Sequence, residues 1–135
     1  MTAKKRLLFV CVENSCRSQI AEAFARIYGG DNVEAFSAGS RPSGKVNPKA
    51  VESMREIGYD LTNHVSKSLE DIPPVTYDFV ATMGCGDECP YILAEDREDW
   101  QIPDPKDMAP DEFRLVRSEI EQLVKRLLES RTQSH

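Results

Sequence analysis

Phe9-Val10-Cys11-Val12-Glu13-Asn14-Ser15-Cys16-Arg17-Ser18 carries an apolar run into a short polar turn, and a helical pattern begins immediately after it. That order is a strand, a loop and a helix N-terminus. Backbone N–H groups at a helix start lack intrahelical partners and sit at the positive end of the helix dipole, so the loop can cradle a tetrahedral oxyanion. Val12, Glu13, Asn14, Ser15 and Cys16 would present the amides. Two side chains add chemistry. The same dipole favours a thiolate nucleophile at Cys11, and the planar fork of Arg17 matches two oxyanion oxygens. Ser18 is placed to donate a hydrogen bond to the Cys11 sulfur. The plainer alternative is a buried strand cysteine ahead of an exposed arginine. Placement of the pair between an apolar strand and an amphipathic helix favours the functional reading.

Working outward, residues 7–12 form a continuous apolar run suited to a central parallel strand buried on both faces. Ile20, Phe24 and Ile27 recur at helical spacing over residues 18–28, and Gly29-Gly30 supply the stop. Asn14 tolerates the left-handed backbone that aims successive N–H groups inward. Residues 33–38 read as a second strand, followed by a loop over residues 40–46. Asn47-Pro48 opens a helix whose apolar face is Ala50, Val51, Met54 and Ile57, ended by Gly58. A short helix is expected near residues 68–72, before Pro73-Pro74. Residues 77–83 read as a third strand and residues 100–102 as a fourth, closed by the rigid turn Pro103-Asp104-Pro105. Phe113, Val116, Ile120, Leu123, Val124 and Leu127 share one face of a long C-terminal helix.

Strands alternating with helices imply an α/β fold with a parallel sheet and right-handed crossovers. Ligands of such open sheets bind beyond the carboxyl ends of the strands. Cys11, Cys85 and Asp104, which follow strands one, three and four, should therefore meet at one edge. The 135 residues, 40% hydrophobic and 30% charged, suit one domain spanning 1–135 with flexible ends at 1–5 and 131–135. A net charge of −6 disfavours a general nucleic-acid or anionic-membrane binder, so no nucleic-acid or membrane partner is expected. Lys4-Lys5-Arg6 precedes an apolar run too short for a signal peptide, which points to a cytoplasmic protein. In that compartment four cysteines point to catalysis, redox chemistry or metal binding rather than structural disulfides. Cys85 and Cys89 have close to metal-ligand spacing, but Cys16, His64 and His135 do not supply a second paired motif, so no metal is expected.

The spacing Cys11-x5-Arg17-Ser18 resembles the signature shared by low-molecular-weight tyrosine phosphatases and thioredoxin-coupled arsenate reductases. The resemblance extends through Ser37-Ala38-Gly39, Val46-Asn47-Pro48, Asn63-His64, the segment from Met83 to Pro90, and Asp104-Pro105, and so covers essentially the whole chain. Gln19 resembles the reductases, since the phosphatases usually place proline there, and Lys106 follows Asp104-Pro105 where the phosphatases use a tyrosine.

What this resemblance implies is an α/β three-layer sandwich, with a four-stranded parallel sheet in the order 2-1-3-4 and helices on both faces, and a reduction of arsenate to arsenite. Cys11 attacks arsenic, Arg17 and the loop amides hold the charge, and Asp104 is the general acid. Cys85 and Cys89 then complete a disulfide relay that thioredoxin regenerates. Cys16 is a small buried thiol pointing away from the anion in this reading, and His64 is a structural hydrogen-bonding residue. Asn14, Ser18, Glu22 and Ser37 support the loop. Some reductases hold potassium there with an additional Asp. Lys67 stands at that position here, which implies an ammonium paired with Glu22 and no tightly bound cofactor. A monomer is the default. The alternatives are a tyrosine phosphatase whose extra thiols protect Cys11 from overoxidation, and an oxyanion-sensing module without turnover.

Overall fold

Leu7, Leu8, Phe9 and Val10 are all fully buried, because their strand is flanked on both sides and covered on both faces. The computed structural model describes residues 4–83 and 92–132. Its elements run β1 (Lys5–Cys11), α1 (Arg17–Gly29), β2 (Val33–Gly39), α2 (Pro48–Arg55), β3 (Phe79–Thr82), β4 (Arg97–Asp99) and α3 (Pro110–Thr132), with 3₁₀ turns between them. The strands form one parallel sheet in the order β2-β1-β3-β4, as the sequence predicts.

Side chains alternate along β1, so Leu7, Phe9 and Cys11 face one layer and Leu8 and Val10 the other. The first layer is closed by Ile20 and Phe24 of α1, Met54 of α2, and Phe113, Val116, Ile120 and Val124 of α3. On the second face, among the described residues, Ile72 and Tyr77 complete the buried cluster and the 3₁₀ helix Leu69–Asp71 supplies the helical cover. Each Leu or Phe so buried contributes about 1.5–3 kcal/mol relative to exposure.

Helix α2 begins as expected: the Asn47 side chain accepts the Lys49 N–H at 2.8 Å, and Pro48 occupies the first turn. Past its end, Gly58 at φ +87° lets the Tyr59 N–H reach back to the Met54 carbonyl.

Three expectations need correction. The fourth strand lies at Arg97–Asp99, not residues 100–102, because the pairing partners of Val80, Ala81 and Thr82 are these three exposed charged residues. Charges blunt an edge strand that apolar residues would leave open to further pairing. Trp100 and Ile102 are instead drawn into the core, where the Trp100 ring lies 5.8 Å from that of Phe9. The helix expected near residues 68–72 is one 3₁₀ turn, with Ser68 and Asp71 forming a capping box. Lys5, expected in a flexible end, belongs to β1, and residues 131 and 132, expected in the other, belong to α3, which runs to Thr132.

Candidate active site

Cys11 ends β1, and the loop that follows it is held from outside by its carbonyls. Val12 O accepts from Arg41 N–H at 2.8 Å, and Glu13 O from Ser43 N–H and the Ser66 hydroxyl at 3.0 Å each. Asn14 O accepts from Gln19 Nε2 at 3.0 Å, and Ser15 O from Asn47 N–H at 2.9 Å. In a trans peptide the next N–H points opposite to the carbonyl. Four outward carbonyls therefore turn the N–H groups of Glu13, Asn14, Ser15 and Cys16 the other way. Asn14 makes the necessary bend at φ +50°. Gly39 lies directly beneath, where a Cβ would come 2.5 Å from Val12 O and 2.9 Å from Asn14 N. Helix α1 starts at Arg17 without a side-chain cap, so its first amides add to the same cradle.

Cys11, Val12, Glu13, Ser15, Cys16, Arg17 and Asp104 line one pocket of ≈ 320 Å³. Arg17, only 8% exposed, donates from Nη1 to the Ile102 carbonyl at 2.9 Å and holds Nη2 3.8 Å from Asp104 Oδ2. The Ile102 carbonyl thus aims the fork. The Asp104 carboxylate is 43% exposed at the mouth, where Oδ1 accepts the Lys106 N–H at 3.1 Å. Glu13 is at the mouth too, with Oε2 3.9 Å from Lys106 Nζ. Burial, reinforced by the negative charges of Asp104 and Cys11, pushes the Cys16 thiol up to about 12. Cys16 lines the pocket rather than standing apart from it, but as an inert thiol.

Behind the loop, one chain of hydrogen bonds points at the nucleophile. Asn14 Nδ2 can only donate, so it gives its proton to Ser18 Oγ at 2.8 Å, and the Ser18 hydroxyl is then free to donate to Cys11 Sγ at 2.8 Å. Gln19 Nε2 donates to Asn14 Oδ1 at 2.9 Å, which leaves Gln19 Oε1 to accept from His64 Nδ1 at 3.0 Å. His64 Nε2 must then accept from the Tyr59 hydroxyl at 2.7 Å. Every donor in the series faces the sulfur. The arrangement requires neutral His64, and burial does push that imidazole below its ordinary value, with Glu22 opposing.

Glu22, 2% exposed, accepts from Ser37 Oγ at 2.5 Å and lies 2.6 Å from Arg26 Nη2. Lys67 Nζ is 3.8 Å away and donates to the Val65 carbonyl at 2.9 Å. Arg26 and Gln19 are the residues the sequence reading missed as loop supports. The i,i+4 spacing of Glu22 and Arg26 was the available signal for the first. Gln19 carried no signal for its contacts with residues 64 and 65, which depend on chain folding. Cys85 and Cys89 lie outside the described residues.

Residues 6–134 match the family described as low molecular weight phosphotyrosine protein phosphatase. The chain belongs to that family. It is 37% identical over 127 residues to a glutaredoxin arsenate reductase of Synechocystis sp., covering 92% of this chain and 96% of that one. An arsenate reductase in the phosphate-binding state superposes with a TM-score of 0.86 at 36% identity, covering 93% of this family member and 98% of that chain. A thioredoxin-dependent arsenate reductase of Corynebacterium glutamicum gives a TM-score of 0.77 at 32% identity, covering 96% and 62%. Among the described residues no helix is long and apolar enough to cross a membrane.

Proposed function

We propose that the protein reduces arsenate to arsenite with Cys11, Cys85 and Cys89. The observation that carries this reading is the Met83 N–H donating to the Val10 carbonyl at 2.8 Å. It fixes the chain beside the residue preceding the nucleophile. Cys85 is two residues further on, within about 7 Å of that anchor along an extended chain. A phosphate-ester hydrolase needs Cys11, Arg17 and an acid, all of which line the pocket, and has no use for Cys85 and Cys89.

In the proposed first step the Cys11 thiolate attacks arsenic, an S–As bond forms, and one As–O bond breaks. Asp104 supplies the proton with which that oxygen leaves as water. Arg17 and the inward amides hold the remaining oxygens. The Cys85 thiolate then attacks Cys11 Sγ. The S–S bond forms as the S–As bond breaks with its electron pair on arsenic, so arsenic is reduced by two electrons and leaves as arsenite. Cys89 exchanges onto Cys85 and frees Cys11. An external dithiol reduces the Cys85–Cys89 disulfide. Thioredoxin is the proposed donor, supported by the paired cysteines and the Corynebacterium relative, while the Synechocystis relative makes glutaredoxin the competitor.

The Lys67 and Arg26 cations are proposed to take the place of a potassium ion beside Glu22. Supporting this, Asn14 Oδ1 already accepts from Gln19 and from Lys67 N–H, and Ser37 Oγ donates to Glu22. These oxygens fit a cation poorly. A reductase rate indifferent to potassium against sodium is expected.

Disulfide mapping by mass spectrometry tests the relay, using fully reduced protein mixed with arsenate and quenched with an alkylating agent. A Cys85–Cys89 disulfide formed only with arsenate, and a Cys11–Cys85 disulfide trapped in Cys89→Ser, are expected. Equal alkylation of all four cysteines with and without arsenate would reject the reductase and favour the phosphatase.

A further inference from the structure

The pocket is larger than its substrate requires. Its ≈ 320 Å³ amounts to on the order of ten water volumes, more than a five-atom oxyanion fills. Volume alone therefore does not stop a phosphate or arsenate ester from entering with its organic group directed outward. Two ion pairs join the Cys11 loop to the acid-bearing loop, and Arg17, Asp104 and Glu13 of these pairs line the pocket. The deeper one is Arg17 with Asp104 at 3.8 Å, and the outer one is Glu13 with Lys106 at 3.9 Å.

Both ends of the outer pair are rooted in anchored backbone. Glu13 O is held by Ser43 N–H and the Ser66 hydroxyl. On the other side Lys49 Nζ, at the start of α2, donates to the carbonyls of Lys106 at 2.7 Å and Met108 at 3.2 Å. The Lys106 N–H donates to Asp104. The two side chains, each about half exposed, thus meet between two fixed loops that both contribute to the pocket, through Glu13 on one side and Asp104 on the other. A free oxyanion ends at the amide cradle, whereas the organic group of an ester extends outward between the two loops that this pair joins.

We propose that the Glu13–Lys106 bridge is a specificity element that admits free tetrahedral oxyanions and disfavours their organic esters. The proposal rests on reading the pocket as a site for a free oxyanion. It separates from a simple field effect because the two charges have opposite signs. As point charges, loss of Glu13 strengthens the attraction for every anionic substrate and loss of Lys106 weakens it. As two halves of one barrier, loss of either opens the mouth.

The test compares Glu13→Gln and Lys106→Gln with the unchanged protein in hydrolysis of p-nitrophenyl phosphate. Competitive inhibition by inorganic phosphate is read in the same assay to normalise for anion attraction. Both variants are expected to raise kcat/KM for the ester, relative to phosphate affinity, by about three- to fivefold, the scale an exposed ion pair can exert. Raising the salt to 1 M, where the screening length is about 3 Å, should raise the same ratio in the unchanged protein and leave both variants flat. Opposite shifts in the two variants, or no shift in either, would overturn the proposal. The ester assay involves neither arsenate nor Cys85 and Cys89, so this proposal and the reductase reading fail by different experiments.

Discussion

Cys11 and Cys16 flank the same loop and have opposite chemistry. Cys11 receives the Ser18 hydroxyl bond and closes the donor chain that starts at Tyr59. Cys16 is buried beside Asp104 and the Cys11 sulfur, and its thiol, pushed up to about 12, is ionised at neutral pH in only ~10⁻⁵ of molecules. Iodoacetamide at pH 7 should therefore leave Cys16 unmodified in native protein and label it once the chain is denatured, which peptide mapping would read. Native labelling at the denatured rate would contradict this assignment. Arg17 is a second case in which one side chain has two duties, since it reaches both the Ile102 carbonyl and the acid. Arg17→Lys keeps the charge but loses the fork, and a fall in turnover of roughly 10²–10³ is expected, the cost of removing an oriented charge-stabilising donor. A loss below threefold in steady-state rate would show the fork to be dispensable.

At the level of elements, the anion loop is supported by its neighbours rather than by itself. Strand β2 contributes Gly39, the one residue type whose missing side chain leaves room for Val12 O and Asn14 N above it. Gly39→Ala should displace backbone, cost about 1–3 kcal/mol in urea unfolding, and abolish binding of inorganic phosphate in calorimetry. Unchanged phosphate affinity would mean that the loop has more freedom than its hydrogen bonds indicate. Asn47 joins two elements: its side chain caps α2 and its N–H holds Ser15 O. Asn47→Ala removes only the cap, so a loss of about 1 kcal/mol is expected with phosphate binding retained. Strand β4 illustrates how position overrides propensity. Trp100 and Ile102 have the higher strand preference, yet Arg97, Glu98 and Asp99 make the pairing because an edge tolerates charge and the core takes the aromatic ring.

Across the whole molecule, His64 couples stability to pH. Burial holds its folded-state proton affinity below the ordinary value of 6.5, so the unfolded chain binds more protons in the window just beneath 6.5. Stability is then complete above 6.5 and declines as the pH falls from there, because proton uptake favours the unfolded chain. Urea midpoints measured from pH 7.5 downwards should show this decline in the native sequence and a flatter profile in His64→Gln. Identical slopes would assign the dependence to other groups.

The strand–loop–helix order around Cys11 and the parallel alternation were legible from local signals: an unbroken apolar run, helical periodicity, Asn47-Pro48 and the glycine stops, whereas the sheet order 2-1-3-4 came from the family resemblance. Such local signals repeat within a few residues, so the sequence states them directly. Cys11, Arg17 and Ser18 were legible for the same reason, being fixed by one loop. Other features depend on residues far apart in the chain. Gln19 meeting His64, Arg17 meeting Ile102, the carbonyls of residues 12–15 turning outward, and Glu13 facing Lys106 all come from packing separate segments together. The sequence by itself determined which groups could do chemistry. The tertiary structure alone decided which way they point, because a hydrogen bond or ion pair between distant residues exists only after the core has brought their segments together.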